Sequence, residues 1–241
     1  MKTAIIFGIL LAAAAPAAWA QAQSHSGQTA GGSAVAAPPP VSRKVKGRTL
    51  TSAEAPRVRI DFDKAFRYAG GQSFVLYDVA NAEQHFFVDA NADGRVRRLY
   101  WVQFEGYLPS NDKTYNYTSP NVVRIGGLDF IADAQARRIP APDASLSARP
   151  ANKISDGDHA RAFLASKGFK LASDQALWQR LVHMVDASKR SELMIIYLED
   201  LGGTGLTAAD LSEGGRAVGQ WASVSKGLLE RARKGMTISV R

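Results

Sequence analysis

The alternation of apolar and polar side chains predicts a series of short β-strands in the first half of the chain. In Val58–Phe62 the apolar residues alternate with Arg59 and Asp61, which is the period of a half-buried strand. The longest such segment, Arg95–Tyr107, is rich in aromatic side chains. Short polar turns separate these segments and favour an antiparallel meander. The same pattern predicts further strands over residues 73–79, 83–89, 114–118, 122–125 and 128–132.

The second half of the chain follows a proline-rich connection over residues 140–150 and shows the spacing of helices. Apolar residues fall on one side of segment 158–167, and Gly168 stands where a left-handed helix end is expected. Residues 177–185 have a similar spacing, which predicts a second amphipathic helix that begins near Ser173. This half is therefore expected to be mainly helical.

Further elements complete this half. Residues 193–198 are apolar without alternation, which predicts a central strand covered on both faces. Thr207 and Asp210 have the spacing of a capping box and open a short helix. A longer helix, with apolar positions from 218 to 232, is predicted to end at Gly235, and residues 236–240 add an edge strand. The whole pattern predicts an α+β fold: a mostly antiparallel meander sheet, then a helical half with one buried central strand.

Residues 1–20 have the order of a bacterial signal peptide. Lys2 supplies the positive charge, residues 5–15 are apolar, and Ala18 and Ala20 give the small-residue pattern of a cleavage site. No later stretch reaches the roughly 20 apolar residues of a membrane span. We therefore expect a Sec-type precursor that is cut after Ala20, and a periplasmic or secreted mature protein without a transmembrane segment.

Residues 21–56 are rich in Pro, Ala, Gly and Ser and poor in large apolar residues. Such a segment cannot bury enough apolar surface to offset the entropy of ordering, so we expect a disordered tether. A single domain is predicted over residues 57–241. The chain contains no cysteine, which excludes disulfides and thiolate sites, so this domain depends on its core for stability.

The formal net charge is +8, and one basic cluster, residues 43–48, lies inside the predicted tether. Such a balance often indicates a nucleic-acid partner, but an exported protein rarely meets nucleic acid. We therefore expect no nucleic-acid partner and consider anionic envelope components as the counterpart of this charge.

One segment matches the first half of a calcium-binding loop. Asp89, Asn91 and Asp93 stand at alternate positions before Gly94, so their oxygens could converge on an ion. The twelfth position, which should be a glutamate, is Tyr100, and arginines follow the supposed ligands directly. The favoured interpretation is a hairpin with Gly94 in a left-handed turn position, and calcium is the weaker alternative.

Aromatic residues concentrate between Phe74 and Tyr117, in and around the predicted hairpins. Rings beside polar groups suit a concave site that stacks on a ligand and orients it with few hydrogen bonds. The alternative is that these rings are core and cross-strand pairs, as most aromatic residues in strands are. The residues predicted to bind a ligand are Tyr100, Trp101, Tyr107, Tyr115 and Tyr117 for stacking, with Arg98 and Gln103 for orientation.

Two residues in this region are candidates for acid–base chemistry. His85 is the one histidine beside the aromatic segment, and Glu105 is a carboxylate whose pKa would rise if it were desolvated near rings. Nothing in the sequence pairs Glu105 with a second acid. The chain carries no G-x-S-x-G, H-E-x-x-H or P-loop pattern, and we predict no cofactor.

Three functions follow as hypotheses. The first is a non-enzymatic exported domain that binds a small or extended ligand over the aromatic hairpin region. The second is an envelope-associated hydrolase that uses Glu105 or His85 as acid or base. The third is an interaction protein whose basic tether contacts an anionic envelope surface. A pocket that united His85 and Glu105 would favour the hydrolase.

Overall fold

The computed structural model describes residues 39–241. The predicted signal peptide and the first part of the predicted tether lie outside the described residues. Within them the chain is rich in β-sheet and has few helices. The strands are β1 (Lys44–Lys46), β2 (Thr49–Thr51), β3 (Val58–Phe62), β4 (Arg67–Leu76), β5 (Ala80–Ala90), β6 (Arg95–Tyr107), β7 (Val122–Ile125), β8 (Leu128–Arg138), β9 (Lys170–Leu171), β10 (Gln175–Met184), β11 (Ser191–Asp200) and β12 (Met236–Val240).

These strands form two sheets, in which every neighbouring pair is antiparallel except for one short contact. The small sheet has the order β1-β2-β3-β12, and the large sheet has the order β4-β5-β6-β11-β10-β8-β7. The short strand β9 pairs in parallel with the start of β6. The α-helices of the described residues are α1 (Asp156–Ser166), α2 (Ala208–Leu211) and α3 (Trp221–Lys234).

The small sheet and α3 cover one face of the large sheet, which we call the inner face. Apolar side chains of β3 and β12 pack there against the central strands of the large sheet in one continuous core. Tyr100 is fully buried in this core and donates its hydroxyl hydrogen to the Ala232 carbonyl of α3 at 2.6 Å. This bond satisfies the one polar atom of a ring that is otherwise enclosed by apolar groups.

The opposite face of the large sheet, the outer face, carries α1. Phe163 of α1 stacks on Phe86 of β5 with 5.3 Å between ring centroids, and Ala160 is buried against the same strands. The helix begins with a capping box in which Ser155 accepts from the Asp158 backbone while the Asp158 carboxylate accepts from Ser155. Apolar packing covers only part of this face, because polar side chains occupy the rows nearest the end of β6.

The predicted second half of the fold is wrong in one main element. The segment predicted as an amphipathic helix over residues 177–185 is the central strand β10. As a strand, Leu177 and Leu181 point to the inner core and Trp178 and Val182 to the outer one. Because both faces are covered, apolar residues occur at both strand parities, and the resulting spacing imitates that of a helix. The second half therefore adds sheet where mainly helix was predicted.

The predicted tether also differs from the structure where its residues are described. Two short strands, β1 and β2, form within it, and Leu50 of β2 is fully buried in the inner core. Their pairing with β3 completes the small sheet, so the ordered chain begins before residue 57. Short strands of three residues leave little periodicity to detect, which is why composition alone indicated disorder.

Other predicted elements are confirmed with adjusted bounds. β3 and β6 have the predicted limits, and β11, α1, α3 and β12 are present. The turn expected at residues 80–82 lies earlier, because Tyr77 and Asp78 adopt positive φ angles of 52° and 60° and close a tight hairpin between β4 and β5. Residues 114–118, which were predicted as a strand, have no regular structure.

No helix among residues 39–241 is long and apolar enough to cross a membrane.

Gly94 carries a constraint beyond its turn. Its φ is +79°, and an added Cβ would lie 2.1 Å from the Gly168 carbonyl oxygen. The Gly94 carbonyl also accepts the Lys170 backbone N–H at 3.1 Å, so this close approach holds β9 against β6.

We predict that Gly94→Ala destabilises the fold more than Gly203→Ala does. Gly203 has a similar φ of +83° but no atom near its Cβ position, so its replacement costs about 1 kcal/mol of backbone strain. At Gly94 the clash adds about 1–3 kcal/mol, because β9 must move away from β6. Urea unfolding of the two variants measures both costs, and equal costs would contradict the packing role of Gly94.

Candidate functional site

A row of glutamines crosses the outer face of the large sheet and leads to Glu105. Gln72 of β4 donates to the Gln84 side-chain oxygen at 2.8 Å, and Gln84 of β5 donates to Gln103 at 2.8 Å. Gln103 of β6 then donates to Glu105 Oε2 at 2.5 Å. The backbone register brings these strands together, with Gln72 opposite Gln84 and Gln84 opposite Gln103. We call these three residues the glutamine ladder. The side-chain amide of each one donates a hydrogen bond to the next residue in the direction of Glu105.

Glu105 has a second carboxyl group directly beside it. Glu192 of β11 is the cross-strand partner of Glu105, so both side chains stand on the outer face. Side chains opposite each other in an antiparallel pair have Cβ atoms about 4.5–5.5 Å apart, and like charges at that distance destabilise the sheet. We call Glu105 and Glu192 the carboxyl pair. The sequence did not indicate this pair, because a strand register decides it.

Two tyrosines of the irregular segment after β6 cover the carboxyl pair. Tyr115 donates its hydroxyl hydrogen to Glu105 Oε1 at 2.7 Å, and Tyr117 donates to Glu192 Oε2 at 2.6 Å. Their rings are nearly parallel, with 6.4 Å between centroids. The Arg180 guanidinium lies 4.9 Å from the Tyr117 ring centroid and brings one positive charge to the cluster.

The environment favours the neutral form of both acids. Burial raises the pKa of Glu105 to about 7, and the Asp156 carboxyl at the start of α1 adds to the rise. Hydrogen bonds from Tyr115 and Gln103 oppose this change without cancelling it. Burial also raises the pKa of Glu192, with the charge of Glu105 as the next cause. Two adjacent, desolvated carboxyls cannot both ionise easily, so the pair holds a proton near neutral pH.

A cavity of about 530 Å³ opens where β5 begins, β6 ends and β11 begins. We call it the strand-end pocket. Its size lies within the range of small-molecule sites, about 300–1,000 Å³. Both members of the carboxyl pair contribute to its wall. The lining also includes Pro39, Pro40, Arg43, Glu54, Glu83, Phe104 and Tyr107.

A second polar network lies on the inner face and fixes one wall of this pocket. The Glu83 carboxylate accepts from the backbone N–H groups of Ser42 and Arg43 at 3.1 and 2.9 Å and from Arg43 Nη1 at 2.9 Å. His85 Nε2 lies 2.8 Å from Glu83, and its Nδ1 lies 3.0 Å from the Tyr68 hydroxyl. We call these five residues the Glu83 network; it attaches residues 42–43 to the large sheet.

The Glu83 network favours the charged form of its acid. Burial alone would raise the pKa of Glu83, but hydrogen bonds from His85, Arg43 and the Ser42 backbone outweigh it and lower the pKa to about 2. The pKa of Glu83 and the pKa values of the carboxyl pair thus shift in opposite directions, because Glu83 accepts hydrogen bonds from an arginine side chain and from two backbone N–H groups, whereas desolvation dominates at the carboxyl pair.

His85 and Glu105, the two predicted acid–base candidates, do not meet. His85 is fully buried opposite Val102, and its side chain points to the inner face. Glu105 stands three residues further along β6, and its side chain points to the outer face because side chains alternate along a strand. The chemical partner of Glu105 is Glu192, and the partner of His85 is Glu83.

The predicted aromatic site divides between the core and the pocket. Tyr100 and Trp101 are buried on opposite faces, with exposed fractions of 0% and 3%, so neither can stack on a ligand in this structure. Tyr107 lines the strand-end pocket and stacks on Tyr115 at 4.4 Å between centroids. Tyr117 binds Glu192, as described above. Of the polar candidates, Gln103 belongs to the glutamine ladder.

The segment from Asp89 to Gly94, for which a hairpin was favoured over a calcium loop, is a hairpin, and Asp89 and Asp93 are paired with arginines. Asp89 accepts from Arg97 at 2.6 Å and from Arg98 at 2.8 Å, and Asp93 accepts from Arg95 at 2.9 Å. Arg98, which was predicted to orient a ligand, is therefore held by Asp89. Within residues 39–241 no group of three or more acidic, histidine or cysteine side chains could hold a metal ion. The turn interpretation of this segment is confirmed.

Sequence reasoning missed Glu83 and Glu192 as site residues. Glu83 could have been found, because Glu83 and His85 are two positions apart in a predicted strand and therefore share a face. Glu192 offered no such signal, since it precedes an apolar strand whose pairing was unknown.

Comparisons of the chain with protein-family models, with curated proteins and with solved structures find no match.

Truncation of two aromatic residues should separate core from pocket. We predict that Trp101→Ala costs about 3–5 kcal/mol in the free energy of unfolding, because the ring is buried and its indole N–H binds Gln103. Tyr107→Ala should cost clearly less, because this ring is partly exposed at the pocket. Urea unfolding at one pH compares them. A Tyr107→Ala cost as large as that of Trp101→Ala would assign Tyr107 to the core.

The carboxyl pair should make stability fall as pH rises. The folded pKa of Glu105 is about 7 against an ordinary value of 4.5, so between these values the folded protein holds a proton that the unfolded chain has released. The free energy of unfolding must then decrease from pH 4.5 to 7 through this residue.

We therefore predict that Glu105→Gln flattens the pH dependence of stability between pH 4.5 and 7, whatever its effect at a single pH. Urea unfolding at several pH values checks this, with the exposed Glu213→Gln as the matched control. An unchanged slope in Glu105→Gln, or a flattened one in Glu213→Gln, would show that the pair is not the source of the dependence.

Proposed function

We propose that this protein is an exported, non-enzymatic domain that binds a small ligand in the strand-end pocket through a cationic group of that ligand. The proposed function is the one predicted from the sequence, but its site is the strand-end pocket instead of the aromatic hairpin region. The aromatic hairpin is mostly core, and the accessible polar and aromatic groups lie at the strand ends. Export rests on the predicted signal peptide and is part of the proposal.

The charge of the pocket is the observation that carries this proposal. The chain as a whole has a formal charge of +8, yet the pocket lining includes four glutamates, Glu54, Glu83, Glu105 and Glu192. Arg43 is the basic residue of this lining, and it is already paired with Glu83 at 2.9 Å and with Glu54 at 3.3 Å. A basic protein that gathers acids around one cavity offers a favourable field to a cation there.

The pocket also offers aromatic surface for such a cation. Tyr107 is partly exposed at the wall, and Phe104 already carries the Arg43 guanidinium 4.3 Å from its ring centroid. Ammonium and guanidinium groups are attracted to the faces of such rings. An amine or guanidine of small size, for example an amino sugar or a polyamine, combines these features with a volume that the cavity can enclose.

Binding of a cation should be coupled to proton release. A positive charge beside the carboxyl pair favours its ionised form and so lowers the pKa of Glu105. Since the pKa of Glu105 in the free protein is about 7, binding must be tighter above this value than below it. Proton release on binding therefore distinguishes a cation bound at the carboxyl pair from one attracted to the protein surface.

A second candidate function is an envelope-associated hydrolase. The carboxyl pair favours it, because one acid of such a pair can hold a proton while the other is ionised, which is the arrangement that general acid–base catalysis uses. In this proposal Glu105 and Glu192 share the chemistry, and His85 takes no part because it is enclosed with Glu83. Turnover of a substrate by the wild-type protein, lost in Glu105→Gln, would favour this candidate over simple binding.

The third hypothesis, contact with an anionic envelope surface, keeps part of its support. Lys44, Lys46 and Arg48 are exposed on the β1–β2 hairpin, whereas Arg43 is engaged inside the Glu83 network. The basic hairpin remains a proposed contact for anionic envelope components, separate from the strand-end pocket.

We predict that glucosamine and spermidine bind the protein and that neutral N-acetylglucosamine does not. Isothermal titration calorimetry of spermidine, which stays charged at both values, should give tighter binding at pH 8 than at pH 6, with release of protons on binding at pH 6; glucosamine and N-acetylglucosamine are compared at pH 6, where the glucosamine amine is protonated. Glu105→Gln should weaken binding at least about tenfold, because it removes one charge partner of the cation. Glu213→Gln should leave affinity unchanged. Equal binding of the neutral sugar, or failure of both cations to bind at millimolar concentration, would contradict the proposal.

A further inference from the structure

A second cavity lies at the other end of β6, against α1. It has a volume of about 610 Å³ and is lined by β6, by the proline-rich segment after β8, by the last turns of α1 and by β9. We call it the helix groove. Val96 and Leu99 of β6 form its floor and are almost fully buried. The lining of the strand-end pocket begins at Phe104, five residues after Leu99 on β6, which is about 17 Å at the usual rise per residue, and the two linings share no residue.

Apolar side chains form most of the wall of the helix groove. Leu164 of α1 and Leu171 of β9 face the cavity from one side, and Ile139, Pro140 and Pro142 face it from the other. Leu164 and Leu171 are only partly buried, so the cavity leaves apolar surface in contact with solvent. Such a lining gains free energy from an apolar occupant in proportion to the area that is removed from water.

At the rim of the groove the acidic side chains have ion-pair partners, whereas one basic side chain has none among the described residues. The two acids, Asp93 and Asp174, are paired with Arg95 at 2.9 Å and Arg138 at 2.5 Å. Lys170 is exposed and forms no ion pair with any described residue. The rim therefore presents one ammonium group that the fold does not neutralise.

Arg161, which also lines the groove, has one side-chain donor without an acceptor among the described residues. Its Nη2 donates to Asp158 at 2.5 Å, but its Nε is buried and has no hydrogen-bond acceptor among the described residues. A buried donor without an acceptor is costly, and such groups are rare in folded proteins. Arg161 and Lys170 are the two basic residues of the groove lining.

We propose that the helix groove binds an amphiphile that has a single hydrocarbon chain and an anionic head group, such as a long-chain carboxylate. The chain lies along the floor formed by Val96 and Leu99, and the head group lies at the rim beside Lys170 and Arg161. The apolar walls explain the affinity for the chain, and the unpaired cation explains the preference for a negative head. This site does not depend on the carboxyl pair or on the function proposed for it.

The experiment measures binding of octanoate, decanoate and dodecanoate to the full chain by calorimetry, below the concentrations at which they form micelles. Affinity should increase about fourfold for each added methylene, which corresponds to burial of the chain. Dodecanol, which lacks the charge, should bind at least about tenfold more weakly than dodecanoate. Vesicles of phosphatidylglycerol test the alternative source of the same chemistry, a lipid headgroup within a membrane.

Two variants locate the site without disturbing the core. Ala165 is exposed on α1 and lines the groove, so Ala165→Trp should fill the cavity and abolish binding of dodecanoate. Lys170→Gln should remove the preference for dodecanoate over dodecanol while chain binding remains. The matched controls on α3 are Ala222→Trp and Lys226→Gln, which change the same residue types at exposed positions. Thermal unfolding confirms that all four variants are folded.

Each outcome decides the proposal. Chain-length dependence that is lost in Ala165→Trp and kept in Ala222→Trp supports it. Binding without chain-length dependence, or binding that survives Ala165→Trp, places the amphiphile elsewhere and overturns it, as does failure of dodecanoate to bind. Binding to vesicles but not to monomeric dodecanoate would assign the groove to a membrane surface and also overturns the proposed occupant. Equal affinity for dodecanol and dodecanoate would overturn the role of Lys170.

Discussion

The pairing of β6 with β11 at the centre of the large sheet is the constraint on which the rest of the structure depends. Both strands are covered on both faces, so their polar side chains must find partners inside the protein. Gln103 meets this requirement through the glutamine ladder, and Glu192 meets it through Tyr117. The register of these two strands places Glu105 opposite Glu192 on the same face, and this pairing produces the carboxyl pair.

The two faces of the large sheet shift the pKa of a glutamate in opposite directions. On the inner face, Glu83 is surrounded by donors and an arginine, and its pKa falls to about 2. On the outer face, Glu105 has hydroxyl and amide donors, but burial outweighs them, the Asp156 carboxyl adds to its effect, and the pKa of Glu105 rises to about 7. The first arrangement holds chain segments together at any ordinary pH. The second retains a proton that a bound cation could displace, which is why only the second is suited to a site.

The sequence was sufficient to predict elements that bury only one face. β3 and α3 alternate or repeat with one face to solvent, and both were predicted with nearly their observed bounds. β10 was predicted as a helix because burial on both faces removes the period of two. β1 and β2 are too short to show a pattern, and their strand structure depends on pairing, since β2 pairs with the edge of β3 and β1 pairs with β2.

The candidate site was predicted in part for the same reason. Glu105 could be found from its position beside aromatic residues in a long strand. Its partner Glu192 lies 87 positions later in the sequence, and only the register of β6 with β11 places the two together. The aromatic residues were a less reliable guide, because rings in a central strand such as Tyr100 serve the core first.

The wall of the strand-end pocket and its acids respond to pH in separate ranges. Pro39 and Pro40 form part of that wall, and the Glu83 network fixes the adjoining residues Ser42 and Arg43 to the sheet. Since the pKa of Glu83 is about 2, Glu83 keeps its charge throughout the range in which Glu105 takes up or loses its proton. Ionisation of Glu83 therefore does not contribute to a change of ligand affinity near neutral pH, whereas ionisation of Glu105 does.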